Sequence, residues 1–138
     1  MSVHLRDIGL AVKRLQNRHH RAANRRLTAE LGLSLPQWDA LRHLGEHPDA
    51  SLHDLAELTF QTDQAMGTLA SRMIANGLIE RVDGPGRAVR HRLTQRGETA
   101  RTAGAAVLDA VLADSLGALT DDERTTLHNL LIKAGGTA

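Results

Sequence analysis

The chain has no cysteine and no tyrosine, one tryptophan, one phenylalanine and three prolines in 138 residues. Without cysteine it has no disulfide, no thiolate metal site and no thiol-based redox sensor. So few aromatics leave no platform on which the bases of a single strand could stack. A core drawn from Leu, Ala, Val and Ile suits packed helices better than a β-sandwich. No run approaches the roughly 18 consecutive apolar residues of a membrane span. The start, Met1-Ser2-Val3-His4-Leu5-Arg6-Asp7, carries charge where a signal peptide needs an apolar stretch. The expectation is a soluble cytoplasmic protein with no membrane partner. Nucleophile-elbow, P-loop and His-Glu-x-x-His patterns are all missing, and in His43-Leu44-Gly45-Glu46-His47 the acid follows the wrong residue. No enzyme is expected.

Charge of one sign is scarce only locally. The net charge of +1 hides a segregation: residues 1–30 hold seven Lys/Arg against two Asp/Glu, and residues 81–101 hold six against two. Residues 31–80 hold two against seven, and residues 102–138 two against five. A local basic block is what contact with phosphate requires.

Apolar spacing and punctuation organise the chain as a single domain. Leu5, Ile8, Val12 and Leu15 recur on one helix face, predicting a long first helix from near residue 4 to near residue 30, ended by Gly32. Ser34-Leu35-Pro36-Gln37 opens a second helix with a capping box and an early proline, and Leu35, Trp38, Leu41 and Leu44 form its inward stripe. Ser51 and Asp54 cap a short helix with Leu52, Leu55 and Leu58 inside. Thr59-Phe60-Gln61 turn, and Thr62 caps a helix whose apolar face is Met66, Leu69 and Met73, joined by Ile74. Asn76-Gly77 stops it. Leu78–Val82 and Ala88–Leu93 read as strands about an Asp83-Gly84-Pro85-Gly86 turn. Thr94 caps a fifth helix with Val107, Leu108, Val111, Leu112, Leu116 and Leu119 on its apolar faces. Thr120-Asp121-Asp122-Glu123 is the capping box of a sixth helix, with Leu127, Leu130 and Leu131 as its core face.

Helix, turn, helix, then an arginine-studded hairpin is the order of a winged helix-turn-helix. The fold expected is mainly α with a small β-hairpin: a winged helix-turn-helix core over about 35–96, flanked by helices over about 4–30 and 95–134. So small a centre cannot bury the apolar faces of helices at both termini, which predicts dimerisation through them.

In these residues the sequence resembles the MarR family of winged helix-turn-helix transcription regulators, over roughly residues 5–134. The resemblance rests on Leu35-Pro36-Gln37, Asp54-Leu55-Ala56-Glu57, Asn76-Gly77-Leu78-Ile79-Glu80-Arg81 and Leu93-Thr94-Gln95-Arg96-Gly97, in order and at consistent spacing. It implies a homodimeric repressor of double-stranded DNA, responsive to a small molecule. The wing departs from the family pattern: Arg87 holds its place, but Pro85 stands where the family carries an acid.

A major groove about 12 Å wide admits one helix. The groove-facing candidates lie off the Met66–Met73 face: Thr62, Asp63, Gln64, Gly67, Thr68, Ser71 and Arg72. Gln64 can read adenine by two hydrogen bonds, Thr68 can meet a phosphate or a thymine methyl, and Arg72 lies further back toward phosphate. Asp63 serves the positive end of its helix or accepts from a cytosine amine. Gly67 either costs the helix about 1 kcal/mol for nothing or permits close approach to DNA. In the wing, Arg87 stands at the tip, and Arg90 and Arg92, on alternate positions, point to one side, with Val89, His91 and Leu93 on the other. Arg87 is the candidate for a narrow minor groove. A two-fold dimer predicts a pseudo-palindromic operator with half-sites about 34 Å apart.

The resemblance also implies an effector pocket between the terminal helices and the winged core, near Arg14, Arg18, Trp38, His43 and the fifth helix. His43 and His47, with Glu46 between them, and the pair His19 and His20 are metal-capable residue types. No third ligand is fixed by spacing, so no metal and no cofactor is expected. The competing reading is a winged-helix protein-interaction module that does not read DNA.

Overall fold

The computed structural model describes residues 2–83, 86 and 88–135. Six helices and two strands follow in the order α1 Leu5–Leu31, α2 Leu35–Glu46, α3 Leu52–Leu58, α4 Asp63–Ala75, β1 Ile79–Val82, β2 Arg90–Leu93, α5 Gln95–Leu116 and α6 Asp121–Gly135.

The helix starts sit where the capping residues put them. Gln37 N–H donates to the Ser34 hydroxyl at 3.2 Å, and Ser34 N–H donates back to Gln37 Oε1 at 3.1 Å. Ser51 and Asp54 close the same reciprocal pair at the start of α3, and Thr120 and Glu123 at the start of α6. Thr62 accepts from Ala65 N–H and Thr94 from Gly97 N–H, satisfying first-turn donors of α4 and α5. Gly32 ends α1 at φ 66°, a left-handed conformation that glycine adopts without a Cβ clash.

One core holds these elements together. Leu27 of α1, Trp38, Leu41 and Leu44 of α2, Leu55 of α3, Met66 and Met73 of α4, Leu78 and Ile79 at the wing's entry and Val107 of α5 are all buried in it. Gly97 explains why Leu-Thr-x-x-Gly leads out of the wing. Thr94 N–H donates to Leu78 O at 3.1 Å, and its hydroxyl donates to Gly77 O at 2.5 Å. The first turn of α5 then lies so close that a Cβ on Gly97 would sit 1.9 Å from Leu78 O. Only glycine fits against a backbone carbonyl at that distance.

Three expectations need correction. The strands are shorter than the sequence pattern suggests, because Val89 O accepts from Leu52 N–H at 2.8 Å instead of entering the hairpin ladder. Ile74 is exposed: the buried face of α4 runs through Met66, Ala70 and Met73, and position 74 is turned off it. Leu130 and Leu131 are not core within this chain, since α6 buries no residue at all. Leu130 is 57% exposed, and Leu5 on the apolar stripe of α1 is 86% exposed. The apolar faces are there, but the chain itself does not cover them.

Candidate nucleic-acid interface and adjoining cleft

Packing of Met66, Ala70 and Met73 into the core turns the opposite side of α4 outward. Thr62, Asp63, Gln64, Thr68, Ser71 and Arg72 are exposed along it, and Gly67 is half-buried at its middle. The sequence-predicted reading residues are thus brought onto one surface. Among the described residues, a Cβ on Gly67 would meet only Leu52 Cδ2, at 3.9 Å, so none of them requires glycine there. The Thr68 hydroxyl donates to Gln64 O and the Ser71 hydroxyl to Gly67 O, each at 3.1 Å. Those hydroxyl oxygens keep lone pairs to accept with, but each proton must rotate away from the helix before it can reach a phosphate.

Asp63 has a partner that sequence reasoning missed. Its Oδ1 lies 2.8 Å from His53 Nδ1 on α3, and the other ring nitrogen of His53 lies 3.1 Å from Glu57 Oε1. The His53–Glu57 spacing of four was legible in the helix; the approach of α3 to the start of α4 was not. The hydrogen bond to Asp63, with the charges of Asp63 and Glu57, raises the His53 pKa above the usual histidine value.

Beside α4 stands the hairpin, with Ile79 opposite Leu93, Glu80 opposite Arg92, Arg81 opposite His91 and Val82 opposite Arg90. Arg90 and Arg92 point outward and His91 inward, as period-two alternation requires. Neither arginine is idle. Arg92 Nε pairs with Glu80 Oε1 across the ladder, and Arg90 Nε donates to Asp49 O at 3.2 Å. Both would exchange these partners on meeting phosphate. His91 is 3% exposed and, among the described residues, its Nδ1 has no hydrogen-bond partner. Burial, then the charge of Arg81, hold it below the usual histidine range. Arg87 and Pro85, at the wing's tip, lie outside the described residues.

On the other side of the α3–α4 turn, a cleft of about 570 Å³ opens between α1, α2 and α5. Gln16, His19 and His20 of α1, Trp38, Asp39 and Arg42 of α2, and Leu108 and Leu112 of α5 line it, with Phe60 at its rim. Trp38 forms an apolar wall; its indole N–H donates to Arg101 O at 3.0 Å, and the Arg42 guanidinium lies 5.8 Å from its ring centroid. Of the residues expected at a pocket, only Trp38 is in the lining. Arg18 reaches the Asp114 carbonyl at 3.4 Å instead, and neither Arg14 nor His43 lines the cleft. His43 packs against His47, ring centroids 6.4 Å apart. Arg42, His19 and His20 supply the polar groups that were expected from Arg14, Arg18 and His43.

His43, Glu46 and His47 offer ligand atoms within 4.8 Å of one another. Arg42 intrudes on that group, with its guanidinium 3.0 Å from His43 Nε2 and 3.6 Å from Glu46 Oε1. A fixed cation on two of three donors disfavours a second cation there. Among the described residues, no single helix is long and apolar enough to cross a membrane.

A capped α3, a turn, an α4 with an exposed polar face and an adjoining antiparallel hairpin define a winged helix-turn-helix. The comparisons agree with the geometry. Residues 31–88 match the model of the MarR family. The chain is 33% identical over 107 residues to the HTH-type transcriptional repressor Rv2887 of Mycobacterium tuberculosis, covering 76% of this chain and 77% of that one. A crystal structure of Rv2887 complexed with DNA superposes with a TM-score of 0.78 at 26% identity, covering 97% of this chain and 99% of that one. A complex of Rv2887 with salicylic acid gives a TM-score of 0.75 at 27% identity, covering 96% and 97%. Apo MarR from E. coli shares the fold, with a TM-score of 0.81 at 20% identity over 97% and 98%. The chain belongs to the MarR family of transcription regulators, which is not an enzyme family.

Proposed function

We propose that this protein is a cytoplasmic, dimeric repressor that binds a pseudo-palindromic operator in double-stranded DNA and is released from it by a small molecule. The observation that carries the reading is the outer face of α4, where Thr62, Gln64, Thr68, Ser71 and Arg72 stand exposed on a helix anchored by Met66 and Met73. That face enters the major groove with Gln64 nearest the base edges, while Arg72, Arg90 and Arg92 meet phosphate. Arg87, from its place in the sequence, reaches the minor groove. The winged core spans about 35–96, and the uncovered apolar faces of α1 and α6 join two copies and set the spacing of the two reading helices.

The cleft beside Trp38 is the effector site. An aromatic acid suits it: Trp38, Leu108 and Leu112 offer an apolar wall, and Arg42, His19 and His20 a cationic or donor edge for a carboxylate. The relative solved with salicylic acid supports this class of ligand.

The test starts with in vitro selection of duplexes by the full-length protein, followed by anisotropy titrations of the selected duplex over a salt series. A single palindromic motif is expected, with affinity falling steeply as salt rises. Gln64→Ala should relax one base position, and Arg87→Ala should weaken binding several-fold. Salicylate is the probe for release, and Trp38 emission reports its entry. No enriched motif would favour the protein-interaction reading, and Arg87→Ala unchanged across the salt series would overturn the wing assignment.

A further inference from the structure

Asp63 is a poor choice for a helix that meets DNA, because it sets a carboxylate beside a line of phosphates. Its partner His53 changes that picture. The ring of His53 stands between two carboxylates, with Nδ1 2.8 Å from Asp63 and Nε2 3.1 Å from Glu57. A neutral imidazole has one N–H to donate; two carboxylate acceptors take two. The arrangement therefore selects the imidazolium, whose charge offsets one of the two acids.

We infer that His53 is a positioning residue of the reading head: protonated, it holds and neutralises Asp63 at the start of α4, and operator binding weakens when it loses its proton. The inference rests on the DNA-binding reading above. The charges around the ring belong to three elements. Asp63 faces it from α4, and Glu57 and Asp54 from its own helix. Arg90 of β2 meets the same corner but acts on Asp54. Among the described residues, the base that pairs with Asp63 and with Glu57 is His53.

The sign follows from linkage. DNA brings further negative charge toward the ring, so the bound state holds the proton more tightly than the free state. Affinity is then full below the free-state pKa of His53, which lies above the usual histidine value, and falls as the pH rises through it. The groups are exposed, so water screens them; the whole change should be about two- to fivefold, the range of an exposed ion pair.

Two measurements test this. The first follows the His53 ring proton by NMR in the free, full-length protein. A titration above the ordinary histidine value is expected, moving back toward it in Asp63→Asn. An unperturbed titration overturns the clamp, whatever the protein binds. The second is anisotropy with the selected duplex at constant salt from pH 6 to pH 8.5. Wild type should lose affinity with rising pH. His53→Gln should bind more weakly than wild type at pH 6 and lose the dependence that His53 contributes. Asp63→Asn should bind more tightly than wild type at pH 8.5 with a flatter profile, and adding His53→Gln to it should change little. A wild-type slope retained in His53→Gln overturns the inference while leaving DNA binding intact. If no duplex is held at any pH, the functional reading itself fails, and the role assigned to His53 with it.

Discussion

Gly104 in α5 is a position where a single methyl group should do heavy damage to the core. A Cβ built there lies 2.1 Å from Trp38 Cδ1 and 2.4 Å from its Nε1. Ordinary carbon contacts are about 3.5–4.0 Å, so in Gly104→Ala the indole must move by roughly 1.5 Å. It has little freedom to do so, since Trp38 is part of the core and its N–H is bonded to Arg101 O one turn earlier on the same helix. Overpacking costs about 1–3 kcal/mol. Leaving the buried indole N–H without its acceptor adds about 1–3 kcal/mol. Alanine returns about 1 kcal/mol through its helix propensity. The net is a loss of about 3 kcal/mol, or a fall in Tm of roughly 10 °C for a chain of this size. The assay is urea unfolding followed by far-UV CD, with the emission of Trp38, the chain's only tryptophan, read in parallel. A wild-type midpoint with unchanged emission would refute the claim that the indole is pinned against Gly104.

Gly67→Ala should behave in the opposite way: with only Leu52 Cδ2 near the new methyl, the protein gains about 0.5–1 kcal/mol in urea unfolding. Its operator affinity falls if Gly67 serves close approach to DNA, and an affinity equal to wild type would leave the glycine a tolerated loss. Ile8→Lys or Leu130→Lys should shift the protein from dimer to monomer in sedimentation equilibrium. Each side chain is half exposed, so each change removes about 1 kcal/mol of apolar burial per copy, counted twice by the two-fold axis, and dissociation constants should rise roughly ten- to a hundredfold. Acid should destabilise the fold below neutrality. Burial, then Arg81, depress the pKa of His91, and burial, then Arg42, that of His43, so the unfolded chain takes up these protons first. The stability they support is complete above about pH 6.5, the unfolded value, and is lost as the pH falls toward the lower folded values. Urea midpoints measured at pH 7.5 and 5.5 should show the drop, and His91→Gln should reduce it.

What could be read from the chain was what depends on neighbours in sequence. Ser34 with Gln37, Ser51 with Asp54, and Thr120 with Glu123 act over three residues, so each helix start was legible before any fold was known. The outward face of α4 followed from the spacing of Met66 and Met73. The strand ends were not legible, because Val89 spends its carbonyl on Leu52, 37 positions earlier, a choice set by tertiary packing. The lining of the cleft was not legible for a related reason. Helix periodicity says which residues share a face of α1, but not how far that helix is rotated against α2 and α5. At about 100° per residue, Gln16, His19 and His20 share the side of α1 that lines the cleft, and Arg14 and Arg18 lie nearly opposite.

The same limit explains the apolar stripes of α1 and α6. Periodicity established that each helix has a face to hide and left open what hides it. Periodicity assigns Leu127, Leu130 and Leu131 to a core face because within one chain that is where such a face belongs. Yet α6 buries no residue, and the opening turns of α1 leave Leu5, Ile8 and Val12 in water. Both helices are sequence-consistent and capped or well formed, so they are not failed core elements. Their exposure has a physical remedy in a second copy of the chain, since an isologous interface covers the same patch on both partners at once. Dimerisation and DNA reading then make one demand on the fold: the helices that bury these stripes also fix the distance between the two α4 surfaces. A substitution that leaves α4 untouched but loosens α1 or α6 should therefore cost operator affinity, and cost it most on duplexes carrying both half-sites.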